Sequence, residues 1–278
     1  MVSFKFQTIK LKEVPQGVSG LSFFIPEVKT FVDKQYNNIH SFAFYFEKDN
    51  TSPLTQAQLS VVNQMEIRKF KISNFEIVGE RTPLKLFSLG NSIPASKKFT
   101  EINIPNNLQE IDLLLAHFVN TFKGTIYLVL RLNNIADEKQ YLKNYVRYET
   151  LALNIFNNPT QAIKKFSFRP KVGAKRLKGI HMAFTDFSTG AAPYIGIGGV
   201  SKVDVGKLSV QINNLKNHPL LIHVKDYVLA DVKRKVDFIE LDEPIIGSSD
   251  IDCVFINGNI PLPVTTFTMY LTAKYSIY

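Results

Sequence analysis

Three sets of residues in this 278-residue chain have types and spacings that chemistry could use. The first is the glycine cluster Gly196, Gly198 and Gly199, just ahead of Ser201 and Lys202 in "PYIGIGGVSKVDVGKLSV". A phosphate loop uses such glycines to bring backbone N–H groups against the anion, with a helix N-terminus behind them. Here Ser201 precedes Lys202, which is not the P-loop order, and the residues that follow alternate through Val203, Val205, Leu208, Val210 and Ile212. Period two is a strand pattern, so no helix dipole stands behind the glycines. They are the turn between two strands, where positive φ is needed.

The second set is acidic: Glu240, Asp242 and Glu243 in "IELDEP", then Asp250 and Asp252. Carboxylates two apart on a strand share a face, which suits a glycosidase or a calcium site. A solvent face or a charged strand edge that blocks aggregation uses the same pattern. The third set is His40, His117, His181, His218, His223 and Cys253. His218 and His223 are five apart on a segment that reads as strand, so they face opposite ways, and none of the histidines has zinc-ligand spacing. Cys253 in "DIDCVF" reads as a small buried hydrophobe, and a single cysteine excludes an internal disulfide framework. No catalytic, cofactor or metal residues are assigned, and no small-molecule substrate is expected.

The elements that carry these residues are sheet-like. The chain is 45% hydrophobic, with 22 Phe, 11 Tyr and no Trp, a composition that favours strands. No apolar run approaches the ~20 residues of a membrane span. "VSFKFQTIKLK" after Met1 alternates and lacks a signal-peptide core, so a soluble protein that is not exported is expected. Short aromatic strands recur, as in "GLSFFIPEVKTF", "IHSFAFYFEKDN", "EIRKFKISNFEIVGE" (with a bulge at Arg68-Lys69), "FTEINIP" and "TIYLVLRLNN".

Helices are expected at "LTQAQLSVVNQ", at "NNLQEIDLLLAHFVNTF" and at "ADEKQYLKNYVRYETLALNIF". In the second, Leu108, Ile111, Leu115, Phe118, Val119 and Phe122 form a stripe capped by Asn107; the third reads as a connector between halves. The second half repeats the plan with "KRLKGIHMAFTD", "GKLSVQINN", a further helix near Asp226, "FIELDEPI", "DIDCVFING" and the long "TTFTMYLTAKYSIY", which points to a duplicated domain.

The net charge of +9 draws a protein towards nucleic acid, anionic lipid or acidic partners. The charge is concentrated in Lys164, Lys165, Arg169, Lys171, Lys175, Arg176 and Lys178, with no acid among them, and in Lys5, Lys10 and Lys12. Each run is either a solvated face or a docking surface for lipid or nucleic acid.

In "GLSFFIPEVKTF", "KRLKGIHMAFTD" and "TTFTMYLTAKYSIY" the chain resembles the double jelly-roll major capsid proteins of icosahedral, membrane-containing bacteriophages, of the corticovirus type and the adenovirus-type capsid lineage. The three segments look like the first strand of the first barrel, the opening strand of the second barrel and the closing strand. The resemblance implies a mainly β chain of two tandem jelly-roll barrels with short helices: 1–134 the first, 135–163 a helical connector, 164–278 the second. It further implies a non-enzymatic virion protein assembled in the host cytoplasm, forming homotrimers of pseudo-hexagonal outline. Its partners would be neighbouring capsomers, penton or spike proteins, and an internal membrane near Lys5, Lys10 and Lys12. A single β-sandwich module of the spike, penton or carbohydrate-binding kind is the alternative, and two comparable barrels in one chain would discriminate against it. A glycosidase built on the carboxylates is the third reading.

Overall fold

The computed structural model describes residues 4–14, 22–29, 32–48, 65–79, 81–87, 99–106, 110–116, 124–136, 145–156, 163–185, 206–212, 222–223, 238–246, 250–257 and 266–277. These residues are almost entirely strand. The only helical element among them is a 3-10 turn at Leu84–Phe87. The chain divides into two compact units, the first running to Tyr148 and the second from Glu149 to Ser276.

The first unit contains β1 (Lys5–Val14), β2 (Ser22–Lys29), β3 (Asn38–Lys48), β4 (Glu66–Ile72), β5 (Phe75–Val78), β6 (Thr82–Pro83), β7 (Thr100–Pro105), β8 (Glu110–Ala116) and β9 (Gly124–Asn133). One sheet has the order β1-β9-β3-β7; the other runs β2-β8-β4-β5, with β6 on the flank of β4. The alternation that makes β9 a strand also fills the core: Ile126, Leu128, Leu130 and Leu132 point inward, while Tyr127, Val129 and Arg131 are half-buried on the other face. Between the sheets, Phe42 meets Phe44, Phe70 and Phe87 at ring-centroid distances of 5.7, 5.0 and 5.3 Å. The slip at Arg68 is present as a register shift between Ile67 and Lys69 against β8.

The second unit follows with β10 (Val146–Phe156), whose first residues belong to the first unit, then β11 (Ile163–Phe168), β12 (Arg176–Thr185), β13 (Gly206–Ile212), β14 (Ile222–His223), β15 (Ile239–Pro244), β16 (Ile251–Asn257) and β17 (Thr266–Ser276). Its sheets have the orders β15-β12-β17-β10 and β11-β16-β13-β14. With β6 set aside and the strands of each unit counted from one to eight, both units give the same pair of sheets, 1-8-3-6 and 2-7-4-5. That is the jelly-roll order.

The repetition extends to single residues. The third strand of each unit starts opposite a proline that ends the sixth strand: Asn38 pairs Pro105, and Arg176 pairs Pro244. Both third strands then slip by one residue at the same place, between Ile39 and Ser41 and between Leu177 and Gly179. The residue before the strand is tied in the same way in both units. Asn106 N–H donates to the Asn37 carbonyl at 2.8 Å, and Ile245 N–H donates to the Lys175 carbonyl at 2.7 Å. The duplication that the sequence pattern raised is therefore present in topology, bulge position and end closure.

Four expectations are corrected. Residues 110–116 are a strand, not part of a helix, because β8 lies between β2 and β4 and bonds to both. Ile111 belongs to the helical stripe, but Leu113, two residues on, does not; both are buried as inward residues of a strand, and the two ladders decide. Residues 146–156 are β10, not a connector helix; Tyr145, Val146, Arg147 and Tyr148 are consecutively buried, and the Tyr148 hydroxyl donates to the Glu101 carbonyl at 3.2 Å. "GLSFFIPEVKTF" supplies the second strand of the first unit, since "KFQTIKLKEV" forms β1 on the edge beside β9. "KRLKGIHMAFTD" supplies the third strand of the second unit, because β10 already occupies the first position. The glycine turn and the helices expected at "LTQAQLSVVNQ" and near Asp226 lie outside the described residues.

Replacing Phe42 with Ala removes the ring at the centre of the first unit's aromatic cluster. The expected cost is about 3–5 kcal/mol. It should be read as a shift of that unit's transition in urea unfolding, with the second unit's transition unchanged.

Candidate functional site

The basic run from 164 to 178 spans β11, the following turn and the start of β12. Lys164 and Lys165 lie on β11 opposite Phe255 and Val254 of β16, and Lys165 is exposed. Beyond the strand, Arg169 Nε donates to Asp250 Oδ1 at 2.7 Å. The chain turns at Lys171-Val172-Gly173-Ala174, closed by Ala174 N–H on the Lys171 carbonyl at 3.2 Å, with Gly173 at φ 97°. Lys171 N–H also donates to Glu149 Oε2 at 3.3 Å. Lys175 is exposed, and its backbone N–H donates to the Ser276 carbonyl at 2.9 Å.

The carboxylates weighed as catalytic groups meet this basic run. β15 pairs with β12, so Asp242 receives Arg176 Nε at 2.8 Å and Lys178 Nζ at 2.6 Å on the same oxygen. Arg176 Nη2 adds a bond to the Asp242 carbonyl at 2.6 Å. Glu240, two residues away, has Lys274 Nζ of β17 at 3.5 Å. The shared face expected from the spacing is real, and each acid on it has a cation beside it. The Arg176 hydrogen bond, and then that of Lys178, hold the Asp242 carboxyl down at about 2. A glycosidase acid needs a carboxyl raised towards neutral pH. Asp242 is shifted the other way, so it is unfit for that role.

At the other basic segment, Lys5 forms an ion pair with Asp33 and lies 5.9 Å from the Tyr36 ring centroid. The Asp33 carboxyl is lowered by that hydrogen bond and by the N–H of Gln35. Lys10 pairs with Glu13 at 2.8 Å, and Lys12 sits opposite Ile126 after a register shift in β1. All three lysines therefore belong to a strand integrated in the first unit's sheet.

Among the described residues the histidines and the cysteine stay apart, while His117 and His218 lie outside those residues. His40 is half-buried, its pKa lowered chiefly by desolvation, with Glu101 at 3.9 Å opposing the shift. His181 is fully buried beside Phe238, and His223 lies in β14 opposite Lys207. Cys253 is buried on β16, where desolvation pushes its thiol pKa up. Among the described residues no three His, Cys, Asp or Glu side chains gather as metal ligands. Sequence reasoning passed over Val172 and Ile246, which are 100% and 65% exposed. The available signal was a β-branched residue beside glycine at a turn tip, a place usually given to polar residues.

Asp242 yields a pH prediction. A carboxyl lowered on folding contributes stability that is complete above its ordinary value of 3.8 and is lost as the pH falls to about 2. Carboxyl-carbon NMR titration should place Asp242 at that low value in the wild type, and an Arg176→Gln, Lys178→Gln variant should return it towards the ordinary one.

No protein-family model matches the chain, and no curated protein matches it in sequence. Among solved structures, it is similar to the major capsid protein P2 of bacteriophage PM2, with TM-score 0.48 and 8% identity, covering 99% of this chain and 98% of that one. It is similar to PBCV-1 VP54, as fitted into a reconstruction of the virophage Sputnik, with TM-score 0.48 and 9% identity, covering 99% and 94%. A chain of Sulfolobus turreted icosahedral virus matches with TM-score 0.46 and 11% identity, covering 99% and 91%. By its own strand order and register, the chain is a double jelly roll.

Proposed function

We propose that this chain is a structural virion protein, the major capsid subunit that forms trimeric capsomers of pseudo-hexagonal outline around an internal membrane. The observation that carries the reading is the repetition of one jelly roll within a single chain, down to the bulge in the third strand. Two barrels per chain and three chains per capsomer make six similar blocks, and a near-sixfold unit tiles a closed shell while its genuine symmetry stays threefold. A jelly roll also suits an abundant assembly protein, because its two packed sheets leave only short edges. A spike or penton module would pair one jelly roll with a dissimilar tip, and the matched units disfavour it.

In this reading the partners are further copies of the chain, neighbouring capsomers, a penton or spike protein, and the membrane; assembly takes place in the host cytoplasm. The protein is not an enzyme: Asp242 is committed to Arg176 and Lys178, and Glu240 has Lys274 beside it. Phe6, 54% exposed and 5.3 Å from Phe99 by ring centroid, is the kind of aromatic that subunit interfaces bury.

Sedimentation of the purified protein at micromolar concentration should show a trimer, and negative-stain images should show a hexagonal outline. A monomer with no larger species would overturn the proposal. Replacing Glu240, Asp242 and Glu243 together with Gln, Asn and Gln should leave the trimer intact. A hydrolase activity that disappears in this variant would refute the non-enzymatic reading.

A further inference from the structure

The third-strand bulge carries a different residue in each unit. In the first unit it is His40, between the fully buried Ile39 and Ser41; in the second it is Lys178, between Leu177 and Gly179. Matching the sixth strands at Pro105 and Pro244 sets Glu101 with Glu240 and Asn103 with Asp242. Matching the eighth strands sets Arg131 with Lys274, since each lies opposite the residue after the bulge. The second unit thus offers an acid to each of these two cations. Lys178 Nζ is 2.6 Å from Asp242 Oδ1, and Lys274 Nζ is 3.5 Å from Glu240 Oε1. Of those two acids the first unit keeps Glu101 alone, because Asn103 stands at the position of Asp242.

Neighbouring elements enclose His40. Its Nδ1 lies 3.0 Å from Ser41 Oγ on its own strand, and its Nε2 is 3.9 Å from Glu101 Oε1 of β7. Phe4, just before β1, meets the imidazole in an edge contact at a centroid distance of 5.2 Å, and the Arg131 guanidinium of β9 lies 3.6 Å over the Phe4 ring. Among the described residues the charged groups that face the imidazole are Glu101 and Arg131. An imidazolium at this place loses water and meets the Arg131 charge. In return it gains a carboxylate beyond hydrogen-bond reach, on a side chain 63% exposed and therefore screened. Desolvation prevails and lowers the His40 pKa, with Glu101 opposing the shift and Arg131 adding to it. The barrel end beyond the bulge is tied separately. Asn106 N–H donates to the Asn37 carbonyl at 2.8 Å, and Asn106 Nδ2 to the carbonyls of Asp33 and Tyr36 at 2.9 and 2.6 Å. A charge placed on His40 therefore opens the ladder locally and does not fray its end.

We propose that His40 makes the bulge of the first unit an acid-sensitive latch: on taking up a proton, its ring loosens the pairing of β3 with β7 and the seat of Phe4. The matching bulge of the second unit carries Lys178, whose charge is constant over the same range. A group whose pKa is lowered on folding gives stability that is complete above its ordinary value of 6.5 and is lost as the pH falls through the lowered one. Every group in the latch belongs to one unit of one chain, so it works in a monomer and in a trimer alike.

Hydrogen exchange of the full-length protein tests it, read by mass spectrometry between about pH 7.5 and about pH 5.5 and corrected for the intrinsic exchange rate. Peptides covering residues 38–42 and 100–105 should lose protection severalfold on acidification of the wild type. In His40→Gln, whose side chain is neutral at every pH, the same peptides should keep constant protection. His40→Lys should leave them loosened at both ends of the range. Adding Asn103→Asp should restore them, because the pair then copies Lys178 and Asp242. An imidazole NMR titration of the wild type needs no variant. His40 should titrate below 6.5, and the loss of protection should fall between 6.5 and that midpoint. Unchanged protection of the wild type, or an equal loss in His40→Gln, overturns the proposal. So does a His40 titration above 6.5, in which case acid tightens the bulge through Glu101.

Discussion

Each unit depends on how its third strand is seated. That strand is bonded on both sides, to the eighth strand and to the sixth, and it slips by one residue against both neighbours just after it starts. A slip of one residue moves every following side chain to the other face. The bulge at His40 therefore decides that Phe42 and Phe44 enter the core and Tyr45 does not. In the second unit the slip at Lys178 similarly sets which residues of β12 face inward, with Ile180 buried and Arg176 and Lys178 left towards β15. The core of one unit and the acid–base ladder of the other thus follow from the same local irregularity.

That ladder changes the meaning of the charge. Along the chain the run from Lys164 to Lys178 holds seven cations and no acid, and "IELDEP" holds three acids close together. Arg176 and Lys178 are 66 and 64 residues from Asp242 in sequence, yet one strand pairing brings them together, and the two sets neutralise each other in part. Arg169 meets Asp250, and Arg176 and Lys178 meet Asp242, so three of the seven cations face acids that lie far from them in sequence.

The fold class, the strand character of most elements and the duplication were legible in the sequence because alternation is a local property. β9 and β17 announce themselves by it, and the Arg68 slip interrupts it visibly. The two helices assigned to residues of β8 and β10 were not resolvable on the same basis. "EIDLLLA" and "YETLALNIF" are apolar enough to satisfy either period, and only strands far away in sequence, β2 and β4 for the first and β17 for the second, choose between them. The candidate site was legible in residue type but not in pairing. Spacing put Glu240 and Asp242 on one face correctly, yet nothing local names Lys274, Arg176 and Lys178 as the cations beside them. Val172 and Ile246 were missed because exposure is a property of the finished surface.

The two ways of closing the same barrel end carry different evolutionary liberties. In the first unit, closure requires amide side chains at Asn37 and Asn106, so substitution there breaks bonds to Asp33, Tyr36 and Ile135. In the second, the bonds of Lys175, Ile245 and Ser276 use only main-chain N–H and C=O groups, which every residue but proline can supply in full. The end built on amides is held to its present residues. Apart from the Arg169–Asp250 pair and the Glu149 carboxylate that receives Lys171 N–H, the end built on peptide groups can exchange its side chains under selection for a new contact without touching those main-chain bonds.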